Sequence, residues 1–186
     1  MIGYAFCGSF CTLRASLSVL RELVSSGERI VPIMSERVYS TDTRFYPCEV
    51  FREEVRSITG SEIIHTVEDA EPLGPKTVLD ALIIAPCTGN TLAKIANGIT
   101  DTAVTMAAKA HLRRDRPLLI ALASNDAMSQ NLGNIGTVLM RKSVYFTPLV
   151  QDDTVGKPHS LVADFKKVIP AFSAMKQGLQ MRPLFI

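Results

Sequence analysis

The chain contains no tryptophan, and aromatic residues make up only 6% of its 186 positions. So few aromatics fit an aliphatic core around a sheet, and a formal net charge of +2 offers no basic face for phosphate backbones. No apolar run approaches the roughly 18 residues of a membrane span. The four cysteines, Cys7, Cys11, Cys48 and Cys87, show neither metal-type pairing nor a disulfide pattern. His65, His111 and His159 are too far apart in sequence for a local metal motif. These absences predict a reduced, cytoplasmic chain with no metal, no nucleic-acid partner and no membrane segment. Met1-Ile2-Gly3-Tyr4-Ala5-Phe6 lacks a basic leader region and reads as a strand, not a signal peptide.

Several motifs are missing too. No G-x-G-x-x-G follows the first apolar run, no G-x-x-x-x-G-K-[ST] occurs, and there is no G-x-S-x-G elbow. A phosphatase-type loop needs five residues between Cys and Arg, but six separate Cys7 from Arg14. Cys7 is therefore read as a small buried residue at a strand end.

Apolar residues account for 47% of the chain and charged residues for 20%, so an aliphatic core of ordinary size is available. Five short apolar runs stand out: Ile2 to Phe6, Arg29 to Met34, Ala81 to Pro86, Pro117 to Ala123 and Val144 to Val150. Most are continuous, as in strands buried on both faces. Helical patterns lie between them. Leu13, Leu17, Leu20 and Val24 share a face ahead of Gly27, and Leu92, Ile95 and Ala96 precede Gly98. Val104, Ala107, Ala108 and Leu112 follow Asp101 as an expected cap, with the basic run His111 to Arg116 at that helix's end. Leu132, Ile135, Leu139 and Met140 suggest another helix. A last stripe, Leu161, Phe165, Val168, Phe172 and Met175, carries Pro170, which is expected to kink or split it. The alternation predicts a Rossmann-like, flavodoxin-like α/β fold: a doubly wound parallel sheet in three α/β/α layers, one domain over residues 1–186. Residues 35 to 75 are the least regular, with one helix expected from Cys48 to Ile58.

Ligands of such sheets sit beyond the carboxyl ends of the strands. Each of those places carries small polar residues: Gly8, Ser9 and Thr12; Ser35; Thr88, Gly89, Asn90 and Thr91; Ser124, Asn125 and Asp126. Any one group is also an ordinary helix cap. Together they favour a phosphate-bearing ligand held by backbone and hydroxyl donors.

Ile84-Ala85-Pro86-Cys87-Thr88-Gly89-Asn90-Thr91 and Ala96-Asn97-Gly98-Ile99-Thr100-Asp101 resemble the P-A-S-A-N-T and A-N-G-x-x-D motifs of the flavin-binding cysteine decarboxylases and flavin prenyltransferases. The P-A-M-N motif of that family corresponds to Ala123-Ser124-Asn125-Asp126, a departure. His65 lies 21 positions before Pro86, with Glu71-Pro72-Leu73-Gly74-Pro75 between, so cysteine decarboxylation is not carried over. Phe6 to Thr12, Thr41 to Phe45, Ala70 to Lys76, Ala85 to Asn90, Ala107 to Ala110, Asn125 to Ala127 and Gln151 to Asp153 are most similar to one branch of the family, the dipicolinate synthase B subunits.

That resemblance implies bound FMN and a homo-oligomer built on trimers. It also implies a partner, the synthase's A subunit, which carries NAD(P), and a small dicarboxylate substrate oxidised to dipicolinate in the mother cell of a sporulating bacterium. Gly8, Ser9, Ser35, Thr88, Gly89, Asn90, Thr91 and Asn125 would hold the flavin. Arg44 and Lys76 are candidates for the substrate carboxylates, and Asn125, Asp126 and His65 for catalysis. Two alternatives accompany this reading: a scaffold that activates the A subunit, and a flavin-dependent decarboxylase.

Overall fold

The computed structural model describes residues 1–186. Strands β1 (Ile2–Phe6), β2 (Ile30–Met34), β3 (Ala81–Thr88), β4 (Leu118–Ser124) and β5 (Val144–Phe146) run parallel in the order β2-β1-β3-β4-β5. This is the flavodoxin-like order. Every residue of β1 and β4 is buried, which accounts for the unbroken apolar runs: helices cover both faces of the sheet. Helix α1 (Leu13–Ser25) packs beside α3 (Cys48–Thr59) and α8 (Val168–Lys176). Between β2 and α3 lies the short α2 (Glu36–Ser40), and after α3 comes the single turn α4 (Val67–Ala70). A second set joins α4 to α6 (Ala103–Leu112), α6 to α5 (Gly89–Asn97), and α5 to α7 (Leu132–Leu139). No helix is long and apolar enough to cross a membrane.

Three expectations are corrected. Asp101 does not cap α6: Thr102 does, accepting from Thr105 N–H in a reciprocal capping box, while Asp101 binds Lys94 Nζ at 2.8 and 2.9 Å. Pro170 does not kink a helix, because α8 begins only two residues before it. In that first turn a missing N–H costs nothing, and Leu161 belongs instead to a strand. The sheet is not wholly parallel. The fifth run breaks at Thr147-Pro148 into β5 and β6 (Leu149–Val150), and β6 pairs antiparallel with β7 (Leu161–Ala163). Strand β7 then runs antiparallel beside the end of β4, with Ala123 opposite Val162. One edge of β4 is thus shared by β5 at Leu118–Ile120 and by β7 at Ala123–Ser124.

The basic run at the end of α6 is structural, as its position suggested. Its His111 is buried, and neutral Nε2–H donates to Pro117 O at 2.9 Å. Burial, reinforced by Arg116, holds the His111 pKa below 6.5, against the pull of the Pro117 carbonyl and Asp80. The unfolded chain therefore binds this proton first, so stability falls as pH drops below about 6.5 and levels off beneath the folded pKa. Urea unfolding of the wild type between pH 8 and pH 5 is expected to show that loss. A His111→Gln variant is expected to lack its share of the slope.

Candidate functional site

Strand β3 does not simply run into α5. Its register against β4 shifts between Ile84 and Cys87, where Pro86 has no N–H to give the ladder. The carbonyl of Ala85 turns instead to Ser16 Oγ of α1, and Tyr4 Oη hydrogen-bonds the same Ser16 at its carbonyl (3.1 Å) and hydroxyl (2.9 Å). All three residues are buried, and burial drives the Tyr4 phenol far above its ordinary pKa, so the network stays neutral. Beyond the bulge, Thr88 caps α5 by accepting from Thr91 N–H at 3.2 Å.

The carboxyl ends of β1, β3 and β4 open into one cleft of about 470 Å³, within the usual range for small-molecule sites. Gly8 and Ser9, Thr88, Gly89 and Asn90, and Asn125 and Asp126 all line it. Thr12 closes the first corner, donating its hydroxyl to Ser9 O at 2.8 Å. The side chains of Asn90 and Asn125 are exposed to the cleft and make no hydrogen bond within the chain. Such hydroxyl and amide groups at two helix starts suit an anionic, oxygen-rich ligand.

Gly89 is needed for a reason the sequence did not suggest. A Cβ there would lie 2.6 Å from Asn131 Nδ2 and 2.9 Å from Asp126 Oδ1, and against Ser124 Oγ as well. The space under this glycine is thus taken by protein side chains. Asp126 accepts from Ser124 Oγ and from Asn131 Nδ2 (2.9 Å), and Ser124 first, then Asn131, hold its carboxyl below the ordinary range against burial. An ionised carboxylate with a lowered pKa, bonded through Oδ1 to both neighbours, orients them well but is a weak proton acceptor.

The other expected site residues do not reach the cleft. Thr91 is buried and acts through Thr88. Ser35 sits at the end of β2, where its N–H bonds Phe6 O at 3.0 Å and its buried Oγ has no partner. His65 stacks flat on Tyr39, with ring centroids 3.6 Å apart, and lines a separate depression with Glu36 and Asp101. Arg44 is exposed, its guanidinium 4.8 Å from the Phe45 ring, in a loop whose polar residues do structural work. There, Asp42 caps α3 through Cys48 N–H (2.8 Å) and Thr43 Oγ1 accepts from Tyr46 N–H (3.2 Å). Lys76 is exposed in the turn after α4. Cys7 and Cys87 are fully buried and line no part of the cleft; their mutual contact draws the Cys7 thiol down and, with burial, holds the Cys87 thiol well above its ordinary pKa.

The far wall was not foreseen. Asp152, Lys157 and Ser160, from the segment between β6 and β7, and Val162 of β7 complete the cleft. The only signal was Gln151-Asp152-Asp153, carried by resemblance without a role.

The sequence profile of the Flavoprotein family matches residues 1–167. The chain belongs to the Flavoprotein family. Within it, the chain is 37% identical over 185 residues to the dipicolinate synthase B subunit of Bacillus subtilis (strain 168), spanning 100% of this chain and 92% of that one. The crystal structure of the dipicolinate synthase B subunit from Bacillus halodurans C superposes with a TM-score of 0.91 at 37% identity, over 100% of this chain and 95% of that one. The FMN-dependent cysteine decarboxylase SpaF shares the fold, with a TM-score of 0.69, 22% identity and 95% of each chain covered. The chain thus shares the α/β architecture of the Flavoprotein family throughout, and it is more similar in sequence to these dipicolinate synthase B subunits than to SpaF.

Proposed function

We propose that this chain is the FMN-binding B subunit of a dipicolinate synthase, a single flavoprotein-like domain acting in the cytoplasm of a sporulating mother cell. The observation that carries this reading is the full-length 37% identity to the corresponding Bacillus subtilis protein. The site fits the cofactor: Asn90 and Asn125 have unpartnered amides in the cleft. Gly8, Ser9, Thr88 and Asn90 would hold the phosphate and ribityl chain, Gly89 and Thr91 would set the loop that presents them, and Asn125 would face the ring. Bound flavin supplies a two-electron acceptor for a dihydro- or hydroxytetrahydrodipicolinate ring. The synthase's A subunit carries NAD(P), and the assembly is a homo-oligomer built on trimers.

The chain's own residues bind and orient. Asp126, already engaged by Ser124 and Asn131, fixes the floor between the Thr88 and Asn125 corners. Its lowered pKa suits a fixed negative charge better than a base.

A visible spectrum of natively purified protein, followed by FMN titration, tests the reading. Saturable uptake is expected, and Asn90→Asp is expected to weaken it by about 100-fold, because a carboxylate then faces the phosphate. A colourless protein that takes up no FMN at millimolar concentration removes the flavin from this reading.

A further inference from the structure

Lys157 is the one basic residue lining the cleft, against two carboxylates, Asp126 and Asp152. Sheet order places it away from the Gly8 corner. From β1 through β3 and β4 to β7 there are three interstrand steps, or about 14 Å at the usual spacing. The segment that carries it is tied down along its length. Asp153 Oδ1 accepts from Gly156 N–H at 2.7 Å, Gln151 Nε2 donates to Pro158 O at 3.0 Å, and Met128 N–H donates to His159 O at 2.9 Å. Within it Lys157 Nζ binds Asp152 Oδ2 at 3.2 Å, while a bond from Ser160, then Lys157, keeps the Asp152 carboxyl ionised. The two side chains are 55% and 34% exposed, so their pairing is held weakly and its partners can be exchanged.

We infer that Lys157 and Asp152 select a small ligand that carries a carboxylate together with a protonated ring nitrogen. The assignment rests on the proposed function only in taking this cleft as the substrate site. The ligand carboxylate takes Lys157 Nζ, and the ligand N–H takes the carboxylate that Asp152 had given to the lysine. One ligand carboxylate and the ligand nitrogen thus each meet an opposite charge. A diacid without the nitrogen leaves Asp152 uncompensated beside new negative charge, with Asp126 close by in the same cleft.

Two probes differ in this respect alone: cis-piperidine-2,6-dicarboxylate and its carbon isostere, cis-cyclohexane-1,3-dicarboxylate. Titration calorimetry on the full chain, with and without FMN, is expected to show the piperidine diacid binding about tenfold tighter. Lys157→Met is expected to weaken both probes by about tenfold or more, with Lys157→Arg restoring most of the loss. Asp152→Asn is expected to erase the preference for nitrogen. FMN uptake and the unfolding midpoint should stay as in the wild type. Equal affinity for the two diacids, no binding of either, or no effect of Lys157→Met overturns the inference. So does loss of FMN uptake in Lys157→Met, which hands the lysine to the cofactor phosphate. Wild-type protein that discriminates the diacids yet takes up no FMN supports the inference and sinks the flavin reading alone.

Discussion

Phe6→Ala is expected to cost about 3–5 kcal/mol of folding stability, read as a lower urea midpoint at unchanged m-value. Phe6 is fully buried at the carboxyl end of β1. Its ring meets Phe51 of α3 edge-on at 5.2 Å between centroids and Tyr4 at 5.0 Å, so truncation opens a cavity where strand, helix and buried network join. The backbone there cannot easily close it, since Phe6 O accepts from Ser35 N–H and Cys7 N–H donates to Pro86 O, both at 3.0 Å. Phe6→Leu, which keeps most of the volume, is expected to cost roughly 1–1.5 kcal/mol. Equal losses for the two variants would show that the ring fills no space the neighbours cannot.

Gly89→Ala is expected to cost about 1–3 kcal/mol, although it adds a single methyl group to a helix start where alanine is otherwise favoured. The methyl would displace Asn131 and Asp126 and crowd the Ser124 hydroxyl, breaking the bonds that hold the Asp126 carboxylate. Asn131 also carries Asn134 Nδ2 at 2.9 Å, so the disturbance passes into α7. Thermal unfolding checks the loss. Its partial rescue by Ser124→Ala in the double variant, beyond the sum of the single effects, locates the tightest clash. A stabilised Gly89→Ala protein would mean that α5 moves to make room.

The parallel sheet was legible because its strands are buried on both faces and their apolar runs stop at small or polar residues. The cleft's near corners were legible for a related reason: a parallel sheet sends ligands to its strand ends, so Gly8, Ser9, Thr88, Asn90 and Asn125 could be named from position alone. Lys157 could not, because nothing local marks it. It reaches the cleft only through the antiparallel pairing of β6, β7 and β4, and strands of two and three residues leave no periodicity to read. Arg44 and Lys76 carry a suitable charge, but sequence gives a side chain no direction, and both stand exposed in turns outside the cleft. Asp101 failed as a cap because Thr102 and Thr105 supply two reciprocal bonds where a lone carboxylate supplies one, while Lys94 was at hand. Pro170 failed as a helix breaker because the residues before it, from Leu161 to Ala163, found a better partner in β4.

The division of the β4 edge has an evolutionary corollary. Residues 149–163 come after every strand of the parallel ladder, pair with it only at the last two residues of β4, and contribute the whole far wall of the cleft. Length and composition can therefore drift between Val150 and Leu161 while the five parallel strands and the near corners keep their register. A lineage with this arrangement can exchange what it recognises by rewriting a dozen residues late in the chain, and leave the scaffold that presents the common end of its ligands untouched.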